Sequence, residues 1–123
     1  MVYRDYNDLS AYKISYELSN IVWDIVIRWS IFARDTVGKQ YVKAVDSISA
    51  NISEGFGRYN KKDKVHFCRY SFGSLKESMS WTEKSHYRNL LTEEQYVEIK
   101  GLLDQLPKEI NSLIKYTNDK LMN

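Results

Sequence analysis

Two pairs of side chains in this sequence have the spacing of metal ligands. Glu83 and His86 form a Glu-x-x-His element, and Asp63 stands three residues before His66. Di-iron helical bundles hold their metals with two Glu-x-x-His elements on separate helices. Both pairs here fall in one predicted helix, about 20 residues or about 30 Å apart at 1.5 Å per residue. Ligands that far apart cannot share a metal pair, so we predict no metal site and no cofactor.

The other side chains that could do chemistry show no catalytic arrangement. Serine is frequent, but the two histidines lie in a basic region near a loop and near a predicted helix end. Gly55 and Gly57 bracket Phe56. This pattern is too short for a phosphate-binding glycine loop, and it closes a helix where such a loop would open one. We therefore predict that the protein is not an enzyme and has no small-molecule substrate.

The segment 58–69 is the most basic part of the chain. It carries five cations against one anion, whereas the formal net charge of the whole chain is only +2. Tyr59, His66, Phe67 and Tyr70 are interleaved with the cations. Lysine and arginine neutralise phosphates while rings stack on unpaired bases, so the segment is a candidate nucleic-acid interface. The alternative is a charged helix start that is merely exposed to solvent. The candidate residues are Arg58, Lys61, Lys62, Lys64, Arg69 and, from the preceding helix, Lys43.

Residues 47–58 read Ser-Ile-Ser-Ala-Asn-Ile-Ser-Glu-Gly-Phe-Gly-Arg. Helical periodicity places Asn51 and Gly55 on the apolar face of this stretch. An unpaired amide in a core costs roughly 1–3 kcal/mol, and a helical glycine costs about 1 kcal/mol relative to alanine. Glu54 and Arg58 have the spacing of an i,i+4 contact. We interpret Asn51, Glu54 and Arg58 as a buried hydrogen-bonded cluster that fixes helix register.

The first predicted helix is apolar on two faces. It begins after Asp8, its expected N-cap, and its main stripe reaches Phe32 before residues 34–36 break the pattern. The second stripe consists of Tyr16, Trp23, Ile27 and Ile31. One interpretation is a central helix covered by two neighbours. The other is an interface between subunits, because Trp and Tyr are enriched at such surfaces.

Three further helices follow. The second runs from about Val37 to about Phe56, is capped by Asp35 or Thr36, and ends at glycines of the kind that adopt positive φ. The third is capped by Asn60, buries Cys68 as a structural thiol, and stops near residues 87–89. The fourth starts at a Thr92–Gln95 capping box, and Pro107 should kink it or divide it near Leu103.

Composition and loop length complete the architecture. At 123 residues, with 43% hydrophobic content and a single cysteine, the chain is one domain without an internal disulfide. Four helices joined by short loops predict an all-α, antiparallel, up-down-up-down four-helix bundle spanning residues 1–123. The N-terminus does not resemble a signal peptide and no apolar run approaches about 18 residues, so we expect a cytoplasmic protein that does not bind a membrane.

Several short motifs carry a family resemblance. Residues 47–48, 51–52, 54–55 and 57–58 resemble the signature of the four-helix-bundle proteins encoded in 23S ribosomal RNA intervening sequences. That family also includes accessory proteins of diversity-generating retroelements. The resemblance implies that Asn51, Glu54, Gly55 and Gly57 are motif residues of a small non-catalytic bundle. It further implies a homopentamer that engages RNA or a reverse transcriptase complex through a basic surface. Weaker matches are Leu9, Ala11, Glu17-Leu18, Gln40, Lys43-Ala44, Gly73-Ser74-Leu75 and Glu77.

The chain departs from the family pattern in the second helix. A pair of basic residues usually precedes the alanine of that helix; here the pair is Val42-Lys43, and Asp46 adds an acid to the same turn. This weakens the phosphate contacts expected there. Two functions of different class follow: an oligomeric accessory protein that binds nucleic acid, or a protein–protein scaffold whose basic segment is incidental. They differ in salt dependence, because phosphate binding weakens steeply as salt rises.

Overall fold

The computed structural model describes residues 3–120, and within that range it contains helices and no strands. A 3-10 turn, Tyr6–Asp8, precedes the first long helix, and a short helix, Ile31–Ala33, leads through a π-helical turn, Arg34–Gly38, into the second. The predicted all-α four-helix bundle is confirmed. Its long helices are α1 (Ser10–Val26), α2 (Lys39–Phe56), α3 (Lys61–Tyr87) and α4 (Glu93–Lys120).

Hydrogen bonds between helices give their directions. Helices α2 and α4 each pack against both α1 and α3. The Tyr41 hydroxyl, near the start of α2, bonds the Thr82 hydroxyl near the end of α3 at 2.7 Å. Lys61, at the start of α3, donates to the carbonyl of Asn118 near the end of α4. Helices α2, α3 and α4 therefore alternate in direction. The start of α3 meets the ends of α2 and α4 at one pole of the bundle, which we call the basic end.

The core follows the helical periodicity of the sequence. In α4 the side chains of Ile99, Leu103, Leu106 and Ile110 are buried at alternating steps of four and three. Cys68 is also buried, and burial raises the pKa of its thiol to about 11, as expected for a structural cysteine. The four apolar seams thus meet along the bundle axis, which fixes the rotation of each helix about its own axis.

Two predicted helix starts are confirmed. Of the two expectations for α4, the division near Leu103 is wrong, whereas the kink at Pro107 stays a prediction. The Asn60 side chain accepts from the backbone N–H of Asp63 at 2.9 Å. Thr92 and Gln95 each accept from the other's backbone N–H, which is a capping box. Helix α4 continues through Pro107 without dividing, although proline removes one backbone donor. We attribute this continuity to Leu106 and Ile110, whose full burial on either side of the proline holds both halves of α4 against the core.

The predicted cap of α1 is wrong. Asp8 lies in the 3-10 turn, where its carboxylate accepts from the backbone N–H groups of Arg4 and Asp5. Leu9 takes the N-cap position of α1 without a side-chain hydrogen bond. The carboxylate of Asp8 therefore stabilises the turn before α1 and leaves the helix start uncapped.

The junction between α1 and α2 also differs from the prediction. Helix α1 ends at Val26, and Ser30 caps the next helical segment, so Ile31 and Phe32 belong to the lead into α2. The residues expected to break the pattern, 34–36, lie in the π-helical turn. A Cβ at Gly38 would lie 2.6 Å from a methyl group of Val26. The glycine thus lets the lead into α2 pack closely on the end of α1.

Candidate nucleic-acid interface at the basic end

The first turns of α3 present basic residues on one exposed face. Lys62, His66 and Arg69 are spaced by four and three residues, so their side chains project from the same side of the helix. They border a shallow groove of about 360 Å³ whose opposite wall is Asn118 of α4. The groove therefore runs between the start of α3 and the end of α4, and its exposed walls carry positive charge.

Aromatic rings lie beside these cations. The rings of His66 and Tyr70 are parallel, with centroids 5.7 Å apart and an angle of 8° between planes. The rings of Phe67 and Tyr70 are nearly perpendicular, with centroids 5.4 Å apart. His66 and Tyr70 are both exposed to solvent. Exposed ring faces next to cations are the arrangement on which single-stranded nucleic acids stack their bases.

Two of the predicted phosphate-binding lysines already have partners in the bundle. Lys64 donates to the carbonyl of Phe56 at 2.7 Å, and its ammonium lies 5.4 Å from the Phe56 ring centroid. It is half-buried, and burial lowers its pKa. Lys61 donates to Asn118 at 3.2 Å. Of the three lysines in this turn only Lys62 is exposed; Lys61 and Lys64 are half-buried, and the ammonium of Lys64 satisfies a carbonyl at the C-terminus of α2.

The central motif is only partly as predicted. Arg58 and Glu54 form the expected i,i+4 ion pair at 3.0 Å, and the Arg58 guanidinium lies 4.5 Å from the centroid of the Phe67 ring. Asn51, however, donates to the carbonyl of Ser47 in its own helix at 2.8 Å. Asn51 is half-buried and the ion pair is exposed, so the three do not form a buried cluster. Asn51 lies at the edge of the apolar face and not at its centre.

Asn51→Leu is therefore expected to change stability little. The substitution removes one hydrogen bond, and Ser47 retains its place in a helix whose other contacts are unchanged. We expect the free energy of unfolding to change by less than about 1 kcal/mol. Urea unfolding followed by circular dichroism checks this value. A loss of more than about 2 kcal/mol would indicate that Asn51 has a buried partner.

The two glycines of the motif have different environments. Gly55 is buried, and a Cβ there would lie 2.8 Å from the Cβ of Phe67 and 3.3 Å from the carbonyl of Lys64. Gly57 is exposed, with φ of −80°. The prediction of a positive φ at the end of α2 is wrong, since Asn89 is the one residue among 3–120 with positive φ. Gly55 is required for close helix packing, whereas the backbone at Gly57 suits any residue.

Lys43 lies apart from the groove. It is exposed on α2, thirteen residues before Phe56, which places it roughly 20 Å from the basic end along the helix axis. Asn118, by contrast, borders the groove although its sequence neighbourhood does not predict this position. It follows Arg69 by almost fifty residues, and no local pattern marks it. Only the antiparallel packing of α3 and α4 brings it to the groove.

The second stripe of α1 faces solvent. Tyr16 is 55% exposed, Trp23 52%, Ile27 44% and Ile31 71%. The interpretation that two neighbouring helices cover this stripe is therefore wrong, because α2 and α4 pack on the other side of α1. Phe32, in the same segment as Ile31, is also exposed.

The side chains of the Glu-x-x-His element contact α4 from α3. The hydroxyl of Tyr96 donates to the carboxylate of Glu83, with distances of 2.9 and 2.8 Å to its two oxygens. The His86 ring stacks on Tyr96 at 3.7 Å, and its Nε2 lies 3.2 Å from a carboxylate oxygen of Glu93. Both members of the element thus have partners across the helix pair. Across residues 3–120, no three histidine, cysteine or acidic side chains converge in a way that could hold a metal.

These helices define a small four-helix-bundle protein with a basic groove at one end. The chain belongs to the 23S rRNA-intervening sequence protein family, whose model matches residues 7–112. A crystal structure of a protein of unknown function from the S23 ribosomal protein family of Bacteroides thetaiotaomicron is similar to this chain, with a TM-score of 0.76. The two are 22% identical, over 85% of this chain and 98% of the other. No curated protein sequence matches. Between residues 3 and 120, no helix is long and apolar enough to cross a membrane.

Proposed function

We propose that this protein is a non-catalytic, oligomeric accessory protein that binds RNA, free or within a reverse transcriptase complex, through the groove at the basic end. The observation that carries the proposal is the exposure of Lys62 and Arg69 and their lack of an ion pair among the described residues. Both are exposed at the groove, and neither takes part in an ion pair among residues 3–120. Their charges are therefore available to phosphates without the loss of an existing contact.

The rings of the groove favour unpaired nucleotides over a duplex. Lys62 and Arg69 are seven residues apart, about 10 Å along the helix, with His66 between them. A single strand can place phosphates near both cations and a base against the His66–Tyr70 pair. A duplex keeps its bases stacked and offers only phosphates and its shallow minor groove. We therefore propose binding to single-stranded segments or to unpaired regions of structured RNA, with little sequence preference.

Assembly strengthens the proposal. Within residues 3–120, one groove provides two cations without ion-pair partners, and such a site alone binds weakly. A ring of identical subunits would repeat the groove, so that several modest contacts on one RNA act together. The exposed apolar stripe of α1 supports such assembly. The same stripe also supports the alternative function, a protein–protein scaffold without an RNA partner.

Charge reversal at Lys62 and Arg69 tests the proposal. In K62E/R69E we expect the affinity for a labelled single-stranded RNA to fall at least about 10-fold, and the slope of log K against log salt to decrease by about two. The matched control is K84E/R88E, which removes one lysine and one arginine at the other end of α3. The variant leaves Lys61 and Lys64 in place, because both donate to backbone carbonyls at helix ends.

Fluorescence anisotropy at two salt concentrations gives the RNA affinities of the wild type, K62E/R69E and K84E/R88E. Circular dichroism checks that each variant keeps its helices. The control variant should bind RNA within about threefold of the wild type, allowing for its lower net charge. Equal affinities of wild type and K62E/R69E, or a wild-type affinity indifferent to salt, would reject RNA binding at this groove. The scaffold would then be the remaining function.

A further inference from the structure

A cavity of about 220 Å³, partly open to solvent, lies at the basic end and is separate from the surface groove. Its walls are mostly apolar and come from the N-terminal segment, the end of α2, the start of α3 and the end of α4. An apolar protein cavity of about 150 Å³ is large enough to hold benzene. This cavity therefore has room for a ligand slightly larger than a benzene ring. Its apolar walls include Leu9, Ile52, Phe56, Cys68 and Leu113.

Lys64 is the one charged residue of the cavity wall among residues 3–120. Its ammonium has neutral partners, the Phe56 carbonyl and the Phe56 ring, and no carboxylate among residues 3–120 forms an ion pair with it. One carbonyl uses one of the three ammonium donors, so two remain. Burial lowers the pKa of Lys64, because it is costly to remove the ammonium from water.

Cys68 does not supply that counter-charge. It follows Lys64 by one helical turn and lies on the cavity wall. Burial raises the pKa of its thiol to about 11, so the thiol is neutral at physiological pH. The cavity thus combines apolar walls with one cation that forms no ion pair within residues 3–120.

We propose that this cavity binds a small apolar monocarboxylate, with the hydrocarbon body among the apolar walls and the carboxylate at the ammonium of Lys64. A monoanion matches the single cation. A second negative charge, as on a phosphate monoester, would be left uncompensated against apolar walls, which is costly. The compound would be a ligand and not a substrate, since no bond is made or broken. The RNA groove is a different site, because neither Lys62 nor Arg69 lines the cavity.

Hexanoate and hexan-1-ol are suitable probes, because they share a six-carbon body and differ in the charged head. Titration of the full-length protein followed by ¹⁵N–¹H NMR should show hexanoate shifting the amides of Ile52, Gly55 and Cys68. We expect hexanoate to bind at least about 10-fold more tightly than hexan-1-ol, a difference that corresponds to about 1.4 kcal/mol.

Two lysine variants test whether Lys64 is the residue that binds the carboxylate of hexanoate. In Lys64→Met, hexanoate should lose its advantage over hexan-1-ol, whereas Lys62→Met should leave both affinities unchanged because Lys62 faces the groove. K62E/R69E should lose RNA and keep hexanoate, so the two sites can fail separately. Equal binding of the two probes by the wild type, or unchanged hexanoate affinity in Lys64→Met, would overturn the proposal. The comparison of hexanoate with hexan-1-ol on the wild-type protein tests the proposal even if Lys64→Met does not fold.

Discussion

Replacing Gly55 with leucine is expected to lower the free energy of unfolding by about 3 kcal/mol and the melting temperature by roughly 10 °C. Even a Cβ at this position would lie 2.8 Å from the Cβ of Phe67, closer than such atoms approach in folded proteins. The obstacle is the start of a side chain fixed to α3, so α2 and α3 must separate to relieve it. Leucine also gains about 1 kcal/mol of helix propensity over glycine, which offsets only part of the cost.

Gly57→Leu is the matched control for Gly55→Leu. The same substitution two residues later adds a side chain at an exposed position, where a Cβ would meet ordinary contacts at 3.7 and 3.8 Å. The backbone there has φ of −80°, which leucine adopts readily. Thermal and urea unfolding at equal protein concentration should show a near-wild-type Gly57→Leu. If the two variants were equally stable, the close packing of α2 on α3 at Gly55 would be refuted.

The helices and their buried faces are the part of the structure that sequence predicts well. Apolar residues at steps of three and four, as in the α4 seam from Ile99 to Ile110, leave one way to bury each helix. The N-caps of α3 and α4 are equally predictable, because Asn60 and the Thr92–Gln95 pair form hydrogen bonds to residues within three positions in the sequence. Such features depend on neighbours in the chain and need no knowledge of the fold.

The junction between α1 and α2 shows where periodicity is misleading. Ile31 and Phe32 continue the apolar spacing of α1, so a pattern alone extends the helix past Ser30. The structure ends α1 at Val26 because the chain must turn, and Ser30 then caps the next segment. Their apolar character does not reflect burial in the subunit, since both side chains are exposed.

The candidate site was predictable in its location but not in the roles of its residues. The charge of the segment 58–69 points to one region of the chain, and the groove does lie there. Lys62 and Lys64 are lysines of the same helical turn, but their side chains face different ways. The ammonium of Lys64 donates to the carbonyl of Phe56, eight residues earlier. Asn118 reaches the groove only through the antiparallel packing of α3 and α4. Long-range contacts of this kind leave no local signal in one sequence.

Assembly is the second large effect that we expect. We expect wild-type protein at micromolar concentration to scatter light as an oligomer, with a pentamer preferred because of the family resemblance. W23E/I27E should raise the dissociation constant at least about 1000-fold, since each side chain contributes about 2 kcal/mol when buried. Trp23 is exposed on α1 and Ile27 directly after its end, so the helices should remain intact in circular dichroism. A wild type that is monomeric, or a variant that assembles normally, would contradict this interface.

Y87E/V97E is the matched control for assembly, because Tyr87 and Val97 are exposed hydrophobic residues on other helices. It should keep the wild-type mass. Comparing W23E/I27E with K62E/R69E then separates the two parts of the proposed function. The first variant retains every groove but presents them one at a time, so its RNA affinity should fall through the loss of multivalency. The second should keep the proposed assembly and lose the proposed phosphate contacts. If W23E/I27E is monomeric and still binds RNA as tightly as the wild type, a single groove is sufficient and assembly serves another purpose.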